Sequence, residues 1–160
     1  MTHLKRLRVP KSWPIEERKR YKFIARPSPG PHKLNESVTL SFMLKDMLRY
    51  AKTTREAKKI LNQGNVSVDG KIRKDFRFPI GIMDSVSLKN TSEDFLVIYD
   101  KHGKFSLVKL KKEEVENKLV KISNKKVLKK KRYQLNFNNG TNLLVDKDVY
   151  KTGDSLVINN

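Results

Sequence analysis

The chain has 160 residues, no cysteine and a formal net charge of +19, from 36 Lys and Arg against 17 Asp and Glu. That length holds one domain or two small ones. The composition excludes disulfides, thiolate metal sites and cysteine nucleophiles, and no apolar run approaches a membrane span.

The excess charge is distributed: residues 1–34 carry +8, 35–89 carry +5 and 90–160 carry +6. A uniformly basic chain repels itself when compact, and a polyanion relieves that repulsion. Nucleic acid is the expected partner, with binding that weakens steeply as salt rises.

Residues 1–36 read as a basic arm holding five of the six prolines. Pro27, Pro29 and Pro31 alternate around Gly30, which excludes helix and predicts an extended run. Pro14 suits the first turn of a short helix within Ile15 to Ala25. Trp13, Tyr21 and Phe23 are interleaved with Lys11, Arg18, Lys19, Arg20, Lys22 and Arg26. In such a mixture cations hold phosphates and rings stack on bases. For Trp13 and Phe23, packing onto the protein's own core is an equal alternative. Alone in solution, most of the arm is expected to be disordered.

The spacing of Leu40, Met43, Leu44, Met47, Leu48 and Ala51 predicts a helix within Asn35 to Lys52, with Ser37 or Thr39 as its cap. Next comes TTREAKKILNQGNVSVDGKIRK, residues 53–74. Thr53 and Glu56 form a capping-box signature. Ala57, Ile60 and Leu61 mark the buried face of a second helix, and Gly64 suits its left-handed stop. Val66 and Val68 alternate with Ser67, Asp69-Gly70 is a two-residue hairpin turn, and Lys71 to Lys74 returns. Arg55, Lys58, Lys59, Lys71, Arg73 and Lys74 put six cations on this rigid unit. A solvated helix face explains the first three but not the same sign on the adjoining strand.

Beyond it, Phe76 and Phe78 alternate with charge, Pro79 to Gly81 breaks the chain, and Asp84 to Leu88 reads as a strand. Polar residues 89–94 read as a linker, giving an expected division into 1–36, 37–89 and 90–160. The last part reads as short strands at roughly ten-residue spacing, a small barrel or sandwich. Lys111 to Lys118 is expected as a short helix. Lys129, Lys130, Lys131 and Arg132 project from a hairpin end toward phosphates. The fold class expected is α+β: an extended basic arm, a small αα-plus-β-hairpin RNA-binding domain and a small all-β domain.

Catalysis is not expected. His3, His32 and His102 are scattered through an arm and turns and read as surface residues. Lys151-Thr152-Gly153-Asp154 lacks the spacing of a phosphate loop. Asp146, Asp148 and Asp154 read as turn-shaping residues that balance lysines. No metal, cofactor, small-molecule substrate or membrane contact is expected.

The stretch 53–75 resembles the RNA-binding domain named after bacterial small-subunit ribosomal protein four, through Arg55, Gly64, Val66, Val68, Asp69, Gly70 and Lys71. The flanks narrow this. HLKRLRVPKSWPI, RPSPGPHKL, FPIGIMD and LNFNNGTNLLVDKDVYKTGDSLVI are similar to ribosomal protein family S-four-e of archaea and eukaryotes. The resemblance covers nearly the whole chain. It implies a structural protein of the small ribosomal subunit in the cytoplasm, docked on small-subunit rRNA beside neighbouring ribosomal proteins. Family members continue into a C-terminal KOW-type domain, which would begin where this chain ends. The expected RNA face is Arg49, Arg55, Lys58, Lys59, Asn65, Lys71, Arg73 and Lys74, with Arg18, Arg20 and Arg26 of the arm and the residues 129–132. A free-standing RNA-binding or ribosome-assembly factor is the alternative.

Overall fold

A computed structural model describes residues 3–19, 21–111, 117–129 and 132–159. The capped helix forms as its sequence dictates. In α2 (Thr54–Asn62) the Thr53 side chain accepts from the Glu56 N–H, and the Glu56 carboxylate accepts from the Thr53 N–H, so two orphan donors are satisfied. Ala57 and Leu61 are fully buried. Gly64 adopts φ 75°, and Asp69 and Gly70 adopt φ 48° and 72°. That double positive φ lets the turn match the twist of β4 (Val66–Val68) and β5 (Lys71–Ile72).

The helix before it is shorter than its apolar stripe predicts. Ser37–Thr39 form β3, paired antiparallel with β6 (Pro79–Gly81). The segment expected only to break the chain is therefore a strand. Thr39 is the cap, accepting from Phe42 N–H at 3.2 Å. A turn of helix, α1 (Leu40–Phe42), runs into a π-helical stretch, Met43–Met47, closed by Leu48 N–H on Met43 O. The wider turn ends at Arg49, whose φ is 59°.

Sheet pairing crosses the polar segment read as a linker. The first sheet runs β5-β4-β7-β8-β9, with β7 (Ser85–Leu88), β8 (Glu93–Tyr99) and β9 (Phe105–Leu110) joined antiparallel. Phe95, Val97 and Phe105 share one core with Leu44, Leu61 and Val66. Hydrogen bonding thus continues past the 89/90 division, and the two cores separate only after Leu110.

The arm is more ordered than its composition suggests. β1 (His3–Lys5) pairs with β2 (Phe23–Ala25), and the helix expected within Ile15 to Ala25 is not formed among the described residues there. Trp13 is 1% exposed and its ring lies 4.8 Å from that of Phe42. Ser12 O accepts from Phe105 N–H at 2.8 Å, which ties the arm to β9. We predict that Trp13→Ala destabilises the fold by about 3–5 kcal/mol through the cavity it leaves. Phe23→Ala, at a ring about half exposed, should cost well under 1 kcal/mol; thermal denaturation of both variants checks the contrast.

A second antiparallel sheet runs β12-β11-β10-β13, comprising β10 (Asn117–Val127), β11 (Tyr133–Phe137), β12 (Asn142–Val145) and β13 (Ser155–Asn159). The first half of β10 pairs with β13 and the second half with β11, with a register shift between Ile122 and Asn124. Such an irregularity bends a strand, and the sheet curls into a half-barrel over Val120, Ile122, Leu135 and Phe137. Of the helix expected over 111–118, residues 112–116 lie outside the described residues. Asn117 and Lys118 are strand, because they pair with Asn159 and Ile158.

Candidate nucleic-acid interface

On α2 the Ala57–Leu61 stripe faces the core, so Arg55, Lys58 and Lys59 are turned outward and line an open groove with Glu56, Asn62 and Gln63; the Glu56 carboxylate accepts from the Lys52 and Thr53 N–H groups. Lys71 and Lys74, which follow the hairpin turn, are both exposed. Two aromatic side chains after the hairpin organise this face. Lys58 Nζ sits 4.2 Å from the Phe76 ring centre, and the Arg73 guanidinium 4.5 Å from that of Phe78. A cation over a ring is held in place yet keeps its N–H groups for other acceptors. Among the described residues, none of Arg55, Lys58, Lys59, Lys71, Arg73 or Lys74 pairs with a carboxylate. An uncompensated cationic face on a rigid support is what a phosphate backbone requires.

The other expected site residues are sorted differently. Arg26 and Lys129 are exposed. Arg18 is spent inside the arm, donating to Val9 O at 3.0 Å and Pro10 O at 3.3 Å. Arg49 is exposed but pairs with Glu16 at 3.1 Å, and Asn65 donates to Gln63 Oε1 at 3.1 Å. Arg132 Nε lies 3.5 Å from Asp146. Arg20, Lys130 and Lys131 lie outside the described residues. Of the arm's rings, Trp13 belongs to the core, while Tyr21 and Phe23 are exposed beside cations, with Arg6 5.7 Å from the first ring centre and Lys22 5.5 Å from the second.

Sequence reasoning missed a buried charged cluster behind this face. Lys118 Nζ donates to Asp69 Oδ2 and, at 2.6 Å, to Asp84 Oδ1. His32 Nε2 lies 2.8 Å from Asp84 Oδ2, which also accepts from the Gly81 N–H. The side chains of Lys118, Asp84 and His32 are each no more than 5% exposed. His32 is therefore a buried partner and not the surface residue its position in the arm suggested. Burial acts most strongly against the Asp84 charge, yet His32, Lys118 and the Gly81 N–H together hold its carboxyl below the usual range. Burial also opposes the Lys118 ammonium, and Asp84 and Asp69 outweigh it, raising that group above an ordinary lysine. A Cβ on Gly81 would stand 2.4 Å from the His32 ring, so only glycine admits this approach. In the sequence Asp69 and Asp84 read as turn and strand-end residues and Lys118 as part of a helix, so no local signal connected them.

A capped helix followed by a type I′ hairpin, matched over residues 40–86 by the S4 domain model, defines an S4-domain protein. Residues 2–35 match the RS4NT (NUC023) domain and residues 91–160 match Ribosomal family S4e. The chain belongs to ribosomal family S4e. It is 45% identical to the small ribosomal subunit protein eS4 of Methanococcus aeolicus, over 98% of this chain and 66% of that protein. The corresponding protein of Methanocaldococcus jannaschii is 43% identical over the same shares. A crystal structure of the 30S ribosomal protein S4e from Thermoplasma acidophilum superposes with a TM-score of 0.67 at 34% identity, over 78% of this chain and 64% of that one. The chain thus spans 66% of the length of the curated relatives it matches.

Proposed function

We propose that the chain is a structural constituent of the small ribosomal subunit, in the cytoplasm, that binds small-subunit rRNA through phosphate contacts and abuts neighbouring ribosomal proteins. It performs no catalysis. The observation that carries this reading is the cluster of cations on α2 and the hairpin with no carboxylate partner among the described residues. The names of the relatives, all small-subunit proteins, supply the identity of the RNA.

Arg55, Lys58, Lys59, Lys71, Arg73 and Lys74 form the principal phosphate-binding face. Arg26, Lys129 and Arg132 extend it, Arg132 by exchanging its exposed partner Asp146 for phosphate. Arg18 and Asn65 act on the protein itself, fixing the arm and the start of β4. Recognition is of backbone and shape, since the major groove of A-form RNA is too narrow for side chains to read.

Binding of in vitro transcribed small-subunit rRNA across a salt series tests this. Six phosphate contacts give a slope of log K on log salt of about −4 to −5. A slope near zero would contradict phosphate binding.

A further inference from the structure

We propose that Lys118 and Asp69 are positioning residues for RNA binding: they fix the second sheet against the turn of the RNA-binding hairpin, so that cations of both parts meet one RNA as a single rigid surface. This rests on the rRNA-binding reading above and adds a requirement to it.

The division of labour at Asp69 supports the proposal. Its Oδ1 accepts from the Ser85 N–H at 3.1 Å, which braces the turn against β7. Its Oδ2 is left for Lys118. The hairpin that presents Lys71 is therefore held by the first strand of the second sheet. Lys118 opens β10, and the far end of that 11-residue strand carries the loop with Lys129 and Arg132. At about 3.3 Å per residue the strand's contour is roughly 30 Å, shortened as a lever by its bend, so a 10° error at Lys118 displaces the loop by up to about 5 Å.

The chemistry points the same way. Burying an ammonium between carboxylates is costly, and replacing the whole charged set by apolar side chains of similar volume is often neutral or stabilising, whereas removing one partner alone is not. Charge-assisted hydrogen bonds are short and directional, so they fix orientation as well as contact. The seat is closed from the other side by the arm. A Cβ on Gly140 of the second sheet would lie 3.5 Å from Pro31 Cα, and His32, next to Pro31, completes the cluster through Asp84. A rigidly held second binding element adds its full contribution to affinity, whereas a loosely held one forfeits much of it to the entropy of ordering.

Asp69→Asn is the discriminating variant. Asn-Gly is as good a type I′ turn as Asp-Gly, and the amide oxygen still accepts from Ser85, so the turn is kept while the NH2 that replaces Oδ2 faces the Lys118 ammonium donor against donor and the bond to the second sheet is lost. Lys118→Met is the stronger second variant. The probe is in vitro transcribed small-subunit rRNA, and the readout is what the pair Lys129→Glu, Arg132→Glu costs in each background. We expect about tenfold in the parent and less than about threefold with Asp69→Asn, while Arg55→Glu costs the same factor in both. The salt slope of Lys118→Met should fall by about 1–2, the share of phosphates that the second sheet no longer reaches.

A merely structural lysine would leave the 129/132 cost and the slope unchanged. Equal costs in parent and Asp69→Asn backgrounds would overturn the proposal and leave rRNA binding standing. A parent that does not bind rRNA would take both down. Where Lys118→Met does not fold, Asp69→Asn decides.

Discussion

Reversing two charges, Arg55→Glu with Lys59→Glu, is expected to abolish most rRNA binding while the circular-dichroism melt stays where it was. Both side chains are exposed on α2 and neither has a carboxylate partner among the described residues. Removing one phosphate-binding cation lowers the salt slope by about one unit, so the slope should fall by about 2. Replacing cation by anion adds repulsion at both sites, and the affinity at about 0.1 M salt should drop roughly 100-fold or more. Stability is spared for a specific reason. Position 55 lies in the first turn of α2, where a carboxylate complements the helix dipole, and Lys59 lies in the last turn, where it does not. The two changes offset one another to within about 0.5 kcal/mol. Unchanged affinity would remove the hairpin domain from the interface.

Lys118→Ala should destabilise the fold as much as loss of the core residue Trp13. It leaves Asp84 buried with only His32 and backbone for company and frees Asp69 toward the void. Breaking a buried pair in this way costs about 3–5 kcal/mol, a fall in melting temperature of roughly 6–20 °C for a chain of this size.

The pH dependence carries the signature of the cluster, whose charged and titratable members are Asp69, Asp84, Lys118 and His32. Asp84 is depressed in the fold. Its contribution is present above the ordinary carboxylate value of about 4 and is lost as pH falls through the folded value. Lys118 is raised. Its contribution is present below about 10.4 and is lost as pH rises through the folded value. The stability difference between the parent and Lys118→Ala should therefore be greatest between those limits and shrink toward both extremes, as denaturant titrations across pH would show. A difference independent of pH would mean that Lys118 acts by packing alone.

What the sequence disclosed and what it concealed divides by range of interaction. The capping box of Thr53 and Glu56 and the Asp69-Gly70 turn are settled within four residues, and both formed as read. β3 pairs with β6 across some forty residues, and nothing local in Ser37–Thr39 or Pro79–Gly81 announces it. β7 and β8 were concealed for a different reason: they are a local hairpin, with Leu88 opposite Glu93, whose polar turn composition alone presents as a linker. In the helix from Leu40 the apolar stripe continued past the true end, because the π-helical turn and the left-handed Arg49 redirect Leu48 and Ala51 to the core without further helix.

At the interface, the charges on α2 and the hairpin were visible because a helix face and a two-residue turn fix their directions. Arg18, Arg49 and Arg132 carry the same charge in the sequence. Only the fold shows that carbonyls, Glu16 and Asp146 already engage them. The Lys118 cluster draws on four separate segments, and its members have ordinary roles in each.

The central claim, that this chain is built into the small ribosomal subunit, is tested most directly by sedimentation. Tagged protein expressed in Methanococcus maripaludis, whose own eS4 is 44% identical, is resolved on a sucrose gradient with the subunits. Co-migration with small subunits, abolished by Arg55→Glu with Lys59→Glu, is the result expected. Protein that remains at the top of the gradient would contradict the ribosomal assignment and favour a free-standing RNA-binding factor.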